Sequence, residues 1–394
     1  MAPELRGAGL SAPRSSEVSS GRTLPFADPA ADHASIAAEL EAAAARVIRS
    51  GRYILGPEVA AFEGELASAL GVAHAIGVSS GTDALIASLM AAGVGPGDEV
   101  VTSPFSFFAT AAAIVRVGAR PVFADIDSAT LNIDGDAALA AMGPRTKAVL
   151  VVHLFGRVAE TAALAAACTA RGIPLFEDAA QAIGATAPDG RRAGSLGAAA
   201  ALSFFPTKNL GGLGDGGAVL TDDAALAARV RRLRVHGADR KNHHVQVGGN
   251  FRLDELQAAL LRVKLPHLSR WTEARRALAA TYRRGLRGLP LALPADDPGA
   301  VWNQFVVRAA AAERDELARH LGAHGIATEV YYPHALHLQP ALASLGHRPG
   351  DFPVAERAVA EVLALPLHPS LAAEQVDGVT ACVAGYFEAS RRLR

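Results

Sequence analysis

The chain has 394 residues, half of them apolar, with Lys+Arg 38 against Asp+Glu 39 and a formal net charge of -1. That length exceeds one ordinary core and asks for roughly two or three domain-sized units. The balanced charge gives no field for recruiting nucleic acid or an acidic membrane surface, and no apolar run approaches the roughly 18 residues of a membrane-spanning helix.

Residues 1–25, rich in Ser, Gly, Pro and Arg without an apolar segment, are expected to be a disordered extension or a misassigned start, not a secretory signal. From about Ala34, IAAELEAAAARVI has a helical period stopped at Ser50-Gly51, and PEVAAFEGELASALG reads as a second amphipathic helix. Alternating units follow. AHAIGVSS is a strand, TDALIASLMAAG a helix, GPGDEVVTSP a turn and strand, FFATAAAIVRVG a helix and ARPVFADI a strand. KAVLVVHLF is a buried strand, ETAALAAACTARG a helix, and IPLFEDAA, ALSFFP and GGAVLT are strands. Strands alternating with helices imply crossovers and a mostly parallel sheet covered on both faces, a three-layer α/β/α unit.

Helices then dominate: LAARVRRLRVHG, a polar loop over 238–249, and a long helical stretch from Leu253 interrupted at Pro266. Further on, WNQFVVRA and IATEVYYP read as strands, and ERDELARHLGAHG and AERAVAEVLALP as helices. This mixture predicts a smaller C-terminal α+β domain. The expected division is a large domain over 26–270 and a small one over 271–394.

Two cysteines, Cys168 and Cys382, make no disulfide framework, which suits a reducing cytoplasm. Thirteen histidines include no His-Glu-x-x-His, and no metal is expected. Only four of the 38 basic residues are lysines: Lys147, Lys208, Lys241 and Lys264. Any mechanism that needs an amine has these four places to look.

Three segments carry chemistry. In VSSGTDAL a strand feeds a helix through Ser80-Gly81-Thr82, where free N–H groups, a close-approach glycine and hydroxyls suit a phosphate; a plain helix cap is the alternative. In PLFEDAAQA a buried strand ends at Glu177-Asp178, whose side chains fall on opposite faces; one carboxylate at such an edge either holds a cationic ring nitrogen or caps a loop. In ALSFFPTKNLGGLGDGGAVL, Lys208 stands between an apolar strand and a glycine-rich turn, either as a solvated charge or as a Schiff-base amine. The glycines follow the lysine and lead to a strand, which excludes a P-loop and a dinucleotide fingerprint. Taken together, a phosphate grip, a pyridinium partner and an imine-forming amine are what pyridoxal 5'-phosphate requires.

SGTDAL, PVFADIDSATLNID, VVHLFG, EDAAQA, SFFPTKNLGGLGDGG, VGGNFRLDELQAALLRVKL and YYPHALHLQPA resemble the DegT/DnrJ/StrS-type sugar aminotransferases, which have the fold-type I architecture of aspartate aminotransferase. The resemblance covers about Tyr53 to Ala341. It implies that Lys208 holds the cofactor covalently and moves the proton, that Asp178 pairs with the pyridine nitrogen, and that Gln181 contacts the ring. Gly81, Thr82 and Ser203 would hold the phosphate, Phe107 would stack on the ring, and Asn250 would reach the phosphate of a neighbouring subunit, giving a homodimer. Tyr332, His337 and Arg252 are the candidate substrate contacts.

The resemblance further implies amino transfer from L-glutamate to a keto-sugar nucleotide, leaning to the sugar's 3-position. A cyclitol as acceptor stays open. The family's dehydratase branch carries histidine in place of the lysine, so Lys208 argues against it. A non-catalytic regulatory subunit on the same fold would predict erosion of these positions, yet all are filled.

Overall fold

A computed structural model describes residues 23–393. The large unit is a seven-stranded sheet in the order β1-β7-β6-β5-β4-β2-β3. Its strands are β1 (His74–Val78), β2 (Glu99–Thr102), β3 (Arg120–Phe123), β4 (Thr146–Val152), β5 (Leu175–Asp178), β6 (Ala199–Ser203) and β7 (Gly217–Thr221). Only β7 runs against its neighbours β1 and β6; the other pairs are parallel. Nearly every residue of the central strands β4 to β7 is buried, as expected of a sheet covered on both faces.

The helices of this unit are α1 (Pro29–His33), α2 (Ala37–Ser50), α3 (Pro57–Leu70), α4 (Gly81–Ala91), α5 (Ala109–Arg116), α6 (Gly135–Ala141), α7 (Ala162–Ala170), α8 (Ala224–Leu233) and α9 (Glu255–Lys264). One face packs Phe62, Leu66, Leu202, Phe204 and Leu261 together, the other Ile76, Leu89, Ile114, Leu150 and Phe176. The buried Glu255 carboxylate accepts from the backbone N–H groups of Gly56, Glu58 and Val59, satisfying the free donors at the start of α3. The stretch read as a polar loop contains a hairpin of β8 (Ala238–Arg240) and β9 (His243–His244).

Pro266 ends α9 through a short 3₁₀ turn, and α10 (Leu268–Gly285) continues across the expected domain boundary. Its first turn places Trp271 against Ile36, Leu40 and Leu260, while Leu278 and Tyr282 enter the core of the C-terminal unit. That unit has a three-stranded antiparallel sheet, β10 (Leu291–Ala292), β11 (Phe305–Ala309) and β12 (Val362–Leu365), with α11 (Ala311–Ala323), α12 (Pro353–Glu361) and α13 (Ala373–Leu393).

Three expectations need correction. VLAL, read as the end of a helix, is β12: its four residues are all buried and pair with β11, so tertiary packing overrides the helical period. IATEVYYP forms no continuous strand; only Ile326 and Glu329 make isolated bridges, to Leu24 and Ala364. The extension expected over 1–25 lies outside the described residues up to 22, but residues 23–25 belong to the fold. Leu24 donates to the Gly325 carbonyl at 2.7 Å and accepts from Ala327, so its backbone is paired against the small unit.

Candidate active site

The carboxyl edges of β1, β5 and β6 face one cavity of about 400 Å³, lined among others by Gly81, Thr82, Phe107, Asp178, Gln181, Ser203, Lys208 and Tyr332. This is the edge at which open α/β sheets bind ligands. Ser203 ends β6 in register with Gly217 of β7, which also pairs with Val78 of β1, so the sheet itself brings the first and third sequence segments side by side.

At the start of α4, Ser80 takes the capping role, its hydroxyl accepting from the Asp83 N–H at 3.0 Å. That leaves the Thr82 hydroxyl without a hydrogen-bond partner among the described residues, on the cavity wall. Gly81 is required by close approach: a Cβ there would stand 2.8 Å from the Ser203 Cβ.

Asp178 is buried at the end of β5. Its Oδ2 accepts from the Thr110 hydroxyl at 2.8 Å and its Oδ1 from the Ala180 N–H at 3.2 Å, and Ser106 lies 2.8 Å from the Thr110 hydroxyl. Burial raises the Asp178 carboxyl above its ordinary value, against the opposing pull of Thr110, Ala180 and the Lys208 charge. A cationic group in the cavity would offset that desolvation. Replacing Thr110 with Val removes one hydrogen bond to a charged acceptor, about 1.5–3 kcal/mol. The expected result is a fall in kcat/KM of roughly 10- to 100-fold with the acid limb of the pH profile moved to higher pH, because the carboxylate loses a donor that favours its ionised form; an unmoved limb would assign Thr110 a packing role only.

Lys208 follows the turn at Pro206, its backbone N–H bonded to the Phe205 carbonyl at 2.8 Å. Its amine has no hydrogen bond or ion pair among the described residues, and burial lowers its pKa to about 8, against the opposing pull of Asp178. A pKa so lowered raises the free-base fraction of the amine near neutral pH, and the free base is the form imine formation needs. The turn is held from behind by two residues that the sequence did not reveal. Lys264, fully buried on α9, donates to the Gly211 carbonyl at 2.6 Å, and Asn209 donates to Val301 at 3.0 Å. A side chain on Gly211 would collide with the Pro206 carbonyl.

Gln181 accepts from the Phe155 N–H at 2.6 Å and donates to the Tyr332 hydroxyl at 2.9 Å, so its amide is fixed facing the cavity. Phe107 is 59% exposed with its ring 6.3 Å from that of Tyr332, open to a stacking partner. The residues present fit pyridoxal phosphate: an unpaired amine, a buried carboxylate, an open aromatic face and a hydroxyl-lined helix start share one cavity.

Residues 34–384 match the model of the DegT/DnrJ/EryC1/StrS aminotransferase family. The chain belongs to this family. As a member it is a pyridoxal-phosphate-dependent aminotransferase. It is 47% identical to a "pleiotropic regulatory protein" of Geobacillus stearothermophilus over 92% of this chain and 98% of that relative. It is 46% identical to the dTDP-3-amino-3,4,6-trideoxy-alpha-D-glucose transaminase of Streptomyces venezuelae, over 88% of this chain and 92% of the relative. The crystal structure of S. venezuelae DesV in complex with a ketimine intermediate superposes with a TM-score of 0.90 at 44% identity, covering 93% of this chain and 99% of that one.

In this family member the remaining candidates divide. Tyr332 lines the cavity, whereas Asn250 and Arg252 do not. His337 lies outside the lining of this cavity: buried, its Nε2 lies 3.0 Å from Glu356 and its ring packs on Phe352 at 4.7 Å. Tyr331, which opens the YYPHALHLQPA segment, and Gln304, which lies in none of the quoted motifs, also line the cavity.

Glu177, on the opposite face of β5, is structural. Its carboxylate accepts from His153 at 2.8 Å and from the N–H groups of Gly194, Leu196 and Gly197. His153 Nδ1 accepts from the Ala159 N–H, so Nε2 carries the proton given to Glu177. Burial alone would raise the Glu177 carboxyl, but these donors outweigh it and hold it below its ordinary 4.5. A depressed carboxyl stabilises the fold above the unfolded value and loses that contribution as pH falls through the folded one. Glu177→Ala should therefore cost about 3–5 kcal/mol at pH 7 in urea unfolding and flatten the decline of stability below pH 4.5; an unchanged midpoint would remove this role.

Proposed function

We propose that the enzyme transfers an amino group from L-glutamate to a keto-sugar carried by a nucleotide, at the sugar's 3-position. The observation that carries this reading is the cavity uniting Lys208 with Asp178 in a chain whose relatives include a transaminase named for a dTDP-3-amino sugar. The relative named as a regulatory protein favours a non-catalytic role only if the site is eroded, and here Lys208, Asp178 and the start of α4 all line the cavity.

When bound, the cofactor supplies an electron sink for the carbon that loses its proton. Asp178, with Thr110 and Ala180 holding its two oxygens, would supply the negative charge that keeps the ring nitrogen protonated. Lys208 would hold the cofactor, and its amine would serve as base and then acid for the proton that moves between the two carbons. Gly81, Thr82 and Ser203 would hold the phosphate, Phe107 would cover one ring face, and Gln181, oriented by Tyr332, would meet the ring or its oxygen. Two half-reactions with a stored amino group give ping-pong kinetics.

The working unit in this reading is a homodimer. Asn250 is exposed and outside its own chain's cavity, as a residue offered to a second subunit would be. Beside it, Val245 and Val247 are 50% and 86% exposed, and Tyr53 and Ile54, joined to Asp254 and Glu255 by backbone bonds, are 53% and 47% exposed. Arg252 would meet an anionic substrate group only across that interface. No helix of the described residues is long and apolar enough to cross a membrane, and two free cysteines suit the reducing cytoplasm.

The test loads the enzyme with pyridoxamine phosphate and offers a panel of keto-sugar nucleotides and keto-cyclitols, following return of the aldehyde form by absorbance. A 3-keto-sugar nucleotide should restore it fastest. Response to cyclitols alone would replace the acceptor class, and response to none would overturn the reading.

A further inference from the structure

Far along the chain from the cofactor residues, two helices of the small unit bring three metal-binding side chains together. His320 lies in the last turn of α11 and His324, four residues on, caps its C-terminus, while Cys382 projects from α13, which packs against α11. One ligand atom from each residue lies within 4.8 Å of the others, and no other group of three His, Cys, Asp or Glu side chains among the described residues comes as close. Histidines at i and i+4 share one helix face, the spacing by which a helix offers two imidazoles to one ion. The sequence hides the arrangement because its third member stands on another helix.

The local hydrogen bonds prepare the ligands. His324 Nδ1 donates to the His320 carbonyl at 2.8 Å, which fixes the tautomer and leaves Nε2 free to bind. The two imidazole centroids are 4.3 Å apart, and the His320 ring rests 5.5 Å from that of Tyr386, whose hydroxyl contacts Glu316 at 3.4 Å. Cys382 is half-buried against the core of the small unit and carries no disulfide. Bond lengths to tetrahedral zinc place such ligand atoms about 3.5 Å apart, so modest side-chain rotation closes the set.

We propose that His320, His324 and Cys382 form a zinc site, completed by one water, that clips α11 to α13. Zinc takes two neutral imidazole nitrogens and the Cys382 thiolate, the thiol's proton passing to solvent; no oxidation state changes. The clip secures the C-terminal helix and takes no part in amino transfer.

Cobalt(II) is the probe, added to the untagged holoenzyme and followed by difference spectra that remove the cofactor's own absorption. One equivalent should give the visible bands of tetrahedral cobalt with a sulfur-to-cobalt charge-transfer band, and zinc should displace them. Cys382→Ser should abolish the charge-transfer band and weaken zinc binding by more than about tenfold, and should remove the rise in Tm that zinc gives the unaltered enzyme. His320→Ala with His324→Ala should abolish both sets of bands. Cys168→Ser should change nothing, since Cys168, on α7, is buried in the core of the large unit. Unchanged basal amino transfer and circular dichroism would show that each variant folds. Absence of the bands in the unaltered enzyme, or their persistence in Cys382→Ser, would overturn the site whatever the enzyme's substrate proves to be.

Discussion

Lys208→Ala should lower turnover by about 10⁴-fold or more, since it removes both the covalent tether and the acid–base group, while the chain still folds and retains cofactor through its other contacts. No other lysine is placed to substitute. Lys147 and Lys241 are exposed. Lys264 is also lowered by burial to about 8, but its amine is committed to the Gly211 carbonyl and lies outside the cavity. The shifted pKa gives a second readout. Capture of free pyridoxal phosphate by the apoenzyme needs the unprotonated amine, so its rate should rise through pH 8 and level off above it, where an ordinary lysine at 10.5 would still be climbing. Appreciable steady-state transamination by Lys208→Ala would refute its role.

Asp178→Asn should cut kcat by about 10³-fold with the shape of the site preserved, because the amide oxygen can still accept from Thr110 but carries no charge to pair with a protonated ring nitrogen. Stability should move differently. A carboxyl raised by burial binds its proton more tightly folded than unfolded, so it subtracts stability from the apoenzyme as pH rises above the ordinary 3.8. Removing that charge should leave the apoenzyme at pH 7 no less stable, and urea unfolding beside steady-state kinetics would separate the two effects. Loss of stability with kcat intact would make Asp178 structural. The arrangement is one in which the catalytic carboxylate costs the empty fold something that the bound cofactor returns.

The residues that were legible in the sequence are those at strand ends. Gly81, Asp178, Ser203 and Lys208 each follow a short buried apolar run, and their local segments announce both the strand and the turn that exposes the side chain. Thr110 was not legible because it acts through Asp178, which is distant in sequence; Gln304, which lines the cavity, and Lys264, which braces the turn behind Lys208, likewise come from segments whose local pattern is that of an ordinary strand or helix. The partners of His337 were not legible either: its segment resembles the family, but Glu356 on α12 and Phe352 just before that helix engage its ring. Strand β12 was missed because its apolar run continues a helical period, and only pairing with β11 decides between the two.

Reduction of the holoenzyme with borohydride, followed by peptide mapping, locates the cofactor's covalent attachment. The cofactor label should appear on Lys208 and on no other of the four lysines. A label on Lys147, Lys241 or Lys264, or no covalent label at all, would exclude Lys208 as the tether.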